Sequence, residues 1–199
     1  MDQHFVSRGG IKLQAALDQF EVDVKDKVVL DVGSSTGGFV DCLFQNGAAK
    51  VYAVDTAYGE LAWKLRNDPR VVVMERTNIL HLAHLPGVSN SSPDHLEGEE
   101  IKVDLITIDA GWTKLELVLP VVQKFLKPGG IIIALLKPHY EADKRDLIKG
   151  ILPPEKAEQI KNQVLQKIEN LKFKIKNCLD SPILGGGGNK EYLVLIKFC

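Results

Sequence analysis

The residues best suited to hold a ligand are two acids that end short apolar runs, together with the glycines between them. In Leu30-Asp31-Val32-Gly33-Ser34-Ser35-Thr36-Gly37-Gly38-Phe39, a β-branched run turns through glycine into a helical pattern. Gly33 permits a sharp turn, and Gly37 and Gly38 let a ligand or helix approach free N–H groups closely. The next apolar run, Val51-Tyr52-Ala53-Val54, ends in Asp55, a carboxylate placed to bind a ribose diol. The combination indicates a nucleoside-containing cofactor at the carboxyl ends of the strands. The glycine spacing departs from the dinucleotide fingerprint G-x-G-x-x-G, and the phosphate-binding G-x-x-x-x-G-K-[ST] is absent. Asp31, just ahead of the first glycine, suits a positively charged amino-acid cofactor better than a pyrophosphate. S-adenosylmethionine meets both requirements.

Two further charges follow apolar runs in the same way. Ile106-Thr107-Ile108 ends in Asp109, and Ala134-Leu135-Leu136 ends in Lys137, where Pro138 fixes the turn. Either one alone reads as a strand-end charge reaching solvent. Together, beside a cofactor loop, they form an opposite-charge pair in a crevice, an arrangement that perturbs proton affinities.

The elements that must carry these residues alternate strand and helix. A helix over 12–20 precedes strands at Lys27–Gly33, Lys50–Asp55, Arg70–Glu75, Val103–Asp109 and Ile131–Lys137. Helices fit 37–47, 60–67 and 115–127, the last ended by Lys127-Pro128-Gly129-Gly130. These strands are apolar on both faces, as in a parallel sheet covered on both sides. A long helix over 155–170 leads to two consecutive strands, 173–183 and 190–198, joined by a glycine loop and so expected as an antiparallel hairpin. The expected fold is one α/β domain over 1–199, a Rossmann-like, doubly wound seven-stranded sheet with the last strand antiparallel. Residues 88–100 read as a loop insertion exposed to solvent.

Composition bounds the function. The 199 residues suffice for one well-cored domain, and 45% hydrophobic with 26% charged residues is ordinary for a globular protein. No apolar run approaches the roughly 18 residues of a membrane span, and the first residues lack the apolar centre of a signal peptide. Cys42, Cys178 and Cys199 form no short-spaced pair, which suits reduced thiols and a cytoplasmic location. A net charge of −1 argues mildly against an autonomous nucleic-acid binder but leaves room for a local basic patch. His81 and His84 lack a third ligand at matching spacing, so no metal site is expected.

The stretches Ser7–Leu13 (SRGGIKL), Asp31–Phe39 (DVGSSTGGF), 47–55 (GAAKVYAVD), 59–79 (GELAWKLRNDPRVVVMERTNI) and 126–138 (LKPGGIIIALLKP) closely resemble the TlyA, or haemolysin A-like, branch of the FtsJ-type ribose methyltransferases. The resemblance covers nearly the whole chain. It implies the class I S-adenosylmethionine-dependent fold and a Lys-Asp-Lys-Glu catalytic set, here Lys12, Asp109, Lys137 and Glu191. In that reading Lys137 is the central group, Asp109 and Glu191 orient the lysines, and Lys12 helps hold the hydroxyl or a neighbouring phosphate. Asp31 and the loop of Gly33, Ser34, Ser35, Thr36, Gly37, Gly38 and Phe39 would bind the methionine part, with Asp109 beside it. Asp55 would take the ribose, and Asn78 and Ile79 would face the adenine. Gly9 and Gly10 would let backbone pass closely over the ligand, and Arg8 would face a phosphate.

The resemblance implies ribose 2′-O-methylation of ribosomal RNA, with RNA as partner and no membrane. Two features part from the family pattern. Only six residues precede Ser7, so the expectation is a methyltransferase domain without the family's small N-terminal RNA-binding module. After Asp109 the chain reads Ala110-Gly111-Trp112-Thr113, where Trp112 could stack on a base or pack on the following helix. These leave two alternatives: the same fold acting on another RNA or a small hydroxyl substrate, or a non-catalytic RNA- or partner-binding homologue.

Overall fold

Short β-branched runs separated by glycine turns assemble into one sheet in the computed structural model, which describes residues 4–87, 100–111 and 113–198. Its strands are β1 (Val28–Val32), β2 (Lys50–Val54), β3 (Val71–Met74), β4 (Val103–Ile108), β5 (Leu126–Leu136), β6 (Phe173–Asp180) and β7 (Tyr192–Phe198). They lie in the order β3-β2-β1-β4-β5-β7-β6. Strands β1 to β5 pair in parallel, whereas β7 runs antiparallel to both β5 and β6. The expected terminal hairpin is therefore present. The strand order reverses between β1 and β4, and such a switch point opens a crevice at the carboxyl ends of the strands.

The helices are α1 (Gly9–Phe20), α2 (Gly38–Gln45), α3 (Trp63–Arg66), α4 (Leu115–Val122), α5 (Pro138–Glu141) and α6 (Pro154–Asn170). Successive strand side chains point to opposite faces, and the core divides accordingly. Val29, Val51, Ala53, Leu105 and Ile133 pack under α1 and α2. Leu30, Tyr52, Ile106, Ile132 and Val194 pack under α4 and α6. Helix α6 buries Ala157, Ile160, Val164 and Ile168 in that face, a stripe at spacings of three and four, with Leu165 packed at its side. Among the described residues no helix is long and apolar enough to cross a membrane.

Two local expectations need correction. The pattern at 60–67 yields only the four residues of α3, because Leu61 and Leu65 are drawn onto Gly37 and the Ala62 N–H bonds the Thr36 carbonyl at 3.1 Å. The Lys-Pro-Gly-Gly segment does not end a helix. Helix α4 stops at Val122, a 3-10 turn follows, and residues 127–130 belong to a β5 that starts early and shifts register against β4. There Lys127 pairs with Asp104 at 2.9 Å. The bareness of Gly10 makes room for the Phe5 ring, which a side chain there would overlap. Gly9, Gly10 and Gly38 also bring the first turns of α1 and α2 together, with only 2.9 Å between the Gly10 nitrogen and a β-carbon placed on Gly38. Residues 88–99 of the expected insertion, and Trp112, lie outside the described residues.

Candidate active site

The turn after β1 is forced into its shape by close backbone contact. Gly33 has φ +84°, and a β-carbon there would sit 2.7 Å from the Asp109 carbonyl oxygen. Its N–H extends the ladder to the Val54 carbonyl at 2.8 Å. Gly37, at φ +95°, lies against Leu61 and Leu65 and turns the chain into α2. Between this loop and the first turn of α1 lies a cavity of about 220 Å³. Gly33, Ser34, Ser35, Gly38 and Phe39 form one wall and Ser7, Arg8 and Gly9 another. Lys12 and Asp109 complete the lining.

Beneath the loop, Asp31 is fully buried. Register places it beside Thr107 of β4, whose hydroxyl donates to Asp31 Oδ1 at 2.6 Å. Its Oδ2 has no hydrogen-bond partner among the described residues. Burial pushes the Asp31 carboxyl up to about 7, against the Thr107 and Ser34 hydrogen bonds that favour the anion.

The four charges of the expected catalytic set come together as two ion pairs. Lys12 Nζ of α1 meets Glu191 Oε2 at 2.5 Å, with both side chains almost wholly buried. Lys137 Nζ, at the end of β5, meets Asp109 Oδ1 at 2.5 Å and donates to the Asp109 carbonyl at 3.3 Å. Lys12 and Asp109 thus face the cavity, each backed by its partner from another element. Glu191 needs a bare residue beside it, because a β-carbon on Gly185 would fall on its carboxylate.

Asp55 stands at the end of β2, outside the residues that line the cavity. Its oxygens accept from the Ser35 N–H at 2.7 Å and the Ala57 N–H at 2.8 Å. Each oxygen keeps a second lone pair for a hydroxyl donor. Asn78 caps a 3-10 turn, accepting from the Leu80 N–H at 3.0 Å, and Ile79 is buried in the core. Neither touches the cavity.

Several residues of the site escaped the sequence reading. Thr107 was legible only through its register with Asp31. Ser7 lines the cavity from a segment read mainly for its lysine. His139, on α5, has a buried Nδ1 without a hydrogen-bond partner among the described residues. Burial, then the charges of Lys137 and Lys12, push its imidazole below the ordinary range. Asn189 is 3% exposed, and its role emerges only from long-range hydrogen bonds.

The profile of the FtsJ-like methyltransferases matches residues 5–198, and the chain belongs to this family. It is 44% identical to YqxC of Bacillus subtilis, whose name marks it as a candidate rRNA methyltransferase, over 96% of this chain and 64% of that protein. It is 36% identical to the 16S/23S rRNA (cytidine-2′-O)-methyltransferase TlyA of Mycobacterium tuberculosis, over 98% of this chain and 69% of that one. A Lactococcus lactis structure described as a candidate hemolysin superposes with a TM-score of 0.84 at 41% identity, covering 96% of this chain and 88% of that one. The chain thus spans about two thirds of the length of these curated relatives.

Proposed function

We propose that this chain methylates a ribose 2′-hydroxyl in ribosomal RNA, with S-adenosylmethionine as the methyl source. The observation that carries the reading is the meeting of the Lys12–Glu191 and Lys137–Asp109 pairs at the cavity of the glycine loop. Relatives named as rRNA 2′-O-methyltransferases support the choice of substrate.

The residues present fit the cofactor. Asp31 is a buried acid with one oxygen unpartnered, and a neighbouring cation relieves such a group. In this reading Ser34, Ser35 and Gly38 hold the methionine part, Asp55 holds the ribose, and Asn78 and Ile79 lie toward the adenine. Bound S-adenosylmethionine supplies an electrophilic methyl group.

The protein's task is to make a weak nucleophile attack in line. In this reading the ribose hydroxyl would lose its proton to solvent as its oxygen took the methyl carbon, the carbon–sulfur bond breaking with its electron pair left on sulfur. Lys137 holds its cation against Asp109, which lines the cavity, and in this reading that cation stabilises the developing alkoxide while Asp109 keeps the ammonium in place. Lys12, fixed by Glu191, orients the hydroxyl or an adjacent phosphate. Most of the acceleration comes from alignment of oxygen, carbon and sulfur.

The test is transfer of a labelled methyl group to unmethylated ribosomal subunits, with tRNA as a control and the product mapped. Label is expected on a ribose of ribosomal RNA. No transfer to any RNA while the cofactor binds would overturn the reading, as would transfer undiminished in Lys137→Ala.

A further inference from the structure

The loop leading to Glu191 is fastened on its far side to a small hairpin. After α5 the chain forms an antiparallel bridge between Ile148 and Ile151, with reciprocal backbone hydrogen bonds of 2.8 and 3.0 Å. Lys149 and Gly150 make its tip, with φ of 51° and 81°, as in a tight two-residue turn. Asn189 grips this turn from inside. Its Oδ1 accepts from the Leu152 N–H at 2.9 Å, and its Nδ2 donates to the Gly150 carbonyl at 3.0 Å. The Asn189 carbonyl accepts from the Gly185 N–H at 2.9 Å, and Gly185 is the residue whose bareness admits the Glu191 carboxylate. Only Lys190 lies between Asn189 and Glu191, so about 7 Å of chain at most spans the two.

The outer side of the hairpin is built for contact. Ile148 is 67% exposed, and Lys144 and Lys149 are exposed without an ion-pair partner among the described residues. Lys149 also occupies a backbone conformation in which glycine carries the least strain. A strained long cation, a second unpaired cation and an apolar ridge together suit an anionic polymer that also offers stacking surfaces. An RNA strand is such a polymer. The chain's net charge of −1 makes a concentrated local patch the means by which it could hold one.

We propose that the 148–151 hairpin is a contact surface for the RNA strand carrying the target ribose, with Lys149 against a backbone phosphate. Asn189 is then a positioning residue that keeps this surface in register with the Lys12–Glu191 pair. The inference rests on the reading of the chain as an RNA methyltransferase.

The test compares the wild-type chain with Lys149→Gly, Lys149→Arg and Asn189→Asp, measuring methyl transfer to unmethylated ribosomal subunits across a salt series. Cofactor affinity is read separately by calorimetry. Lys149→Gly relieves the backbone, so thermal stability should hold or rise and cofactor affinity should stay unchanged. Its KM for RNA should increase about three- to tenfold, and the log KM against log salt slope should flatten by about 0.7. Lys149→Arg should restore both. Asn189→Asp keeps the acceptor for Leu152 but loses the donor to Gly150, and should lower kcat while raising the KM for RNA. An unchanged KM and salt slope in Lys149→Gly, with an active wild type, overturns the inference alone, including where the hairpin serves a protein partner. A wild type that binds the cofactor yet methylates no RNA overturns the underlying reading and this inference with it.

Discussion

Asp31, proposed to face the cofactor, shows how one buried atom would tie its binding to pH. The native carboxyl, held near 7, binds its proton more tightly than the unfolded chain does at 3.8. Its contribution to folding is therefore fully present below about pH 4 and is lost as pH rises toward 7. Asp31→Asn should remove that loss, so the variant gains on the wild type by up to a few kcal/mol between about pH 4 and 7. Urea titrations at several pH values would show the difference. A cationic cofactor favours the carboxylate, so wild-type affinity for S-adenosylmethionine should climb as pH passes through about 7. Calorimetry should find that climb absent in Asp31→Asn. Lys137→Ala makes a different prediction: cofactor affinity stays, while methyl transfer falls by about a hundredfold or more. Asp31, Asp55, Asp109 and Lys137 were legible because each closes or nearly closes an apolar run, and Lys12 and Glu191 through the family resemblance. Thr107 and Asn189 were not, since their importance lies in partners 76 and about 37 residues away.

At the scale of elements, the glycines decide what can lie beside what. A methyl group at Gly185 would meet the Glu191 carboxylate, whose nearest escape breaks the pair with Lys12. Gly185→Ala should therefore depress kcat for methyl transfer by tenfold or so, comparable with loss of one positioning contact, and leave cofactor affinity intact. Equal losses in kcat and cofactor affinity would show that the whole loop had moved instead. The succession of strands and helices along the chain and the terminal hairpin were readable from apolar runs and from the missing helix between the last two strands, whereas the order of strands across the sheet was not. Element ends were less so. The Lys127–Gly130 segment looks like a helix stop, yet strand pairing with β4 and the Lys127–Asp104 ion pair draw it into β5. A pattern of residue types cannot reveal that competition, because the deciding partner lies elsewhere in the chain.

For the whole molecule, the two faces of the sheet do unequal work. The α1 and α2 face carries the cavity and Lys12, while the α4 and α6 face is an apolar core. Leu119→Ala, fully buried in that core, should cost about 2–5 kcal/mol of stability. Where the variant remains folded, its cofactor affinity should match the wild type. The even charge balance sets a further expectation for this chain. If Arg8, Lys144 and Lys149 supply the phosphate contacts, three cations at about 0.7 each give a log–log salt slope near −2 for RNA affinity. A much steeper slope would point to cations elsewhere on the surface.

The Lys12–Glu191 pair spans 179 residues of sequence. During synthesis the glycine loop and five parallel strands emerge well before Glu191 does. At about 5–20 residues per second, Lys12 waits on the order of ten to forty seconds for its partner. Until then the nascent chain holds an unpaired lysine that must be kept in water, and α1 cannot bury it without cost. Final docking of α1 against the sheet and completion of the proposed catalytic centre are thus one late event. A chain released early could carry a formed cofactor loop and still have no working centre.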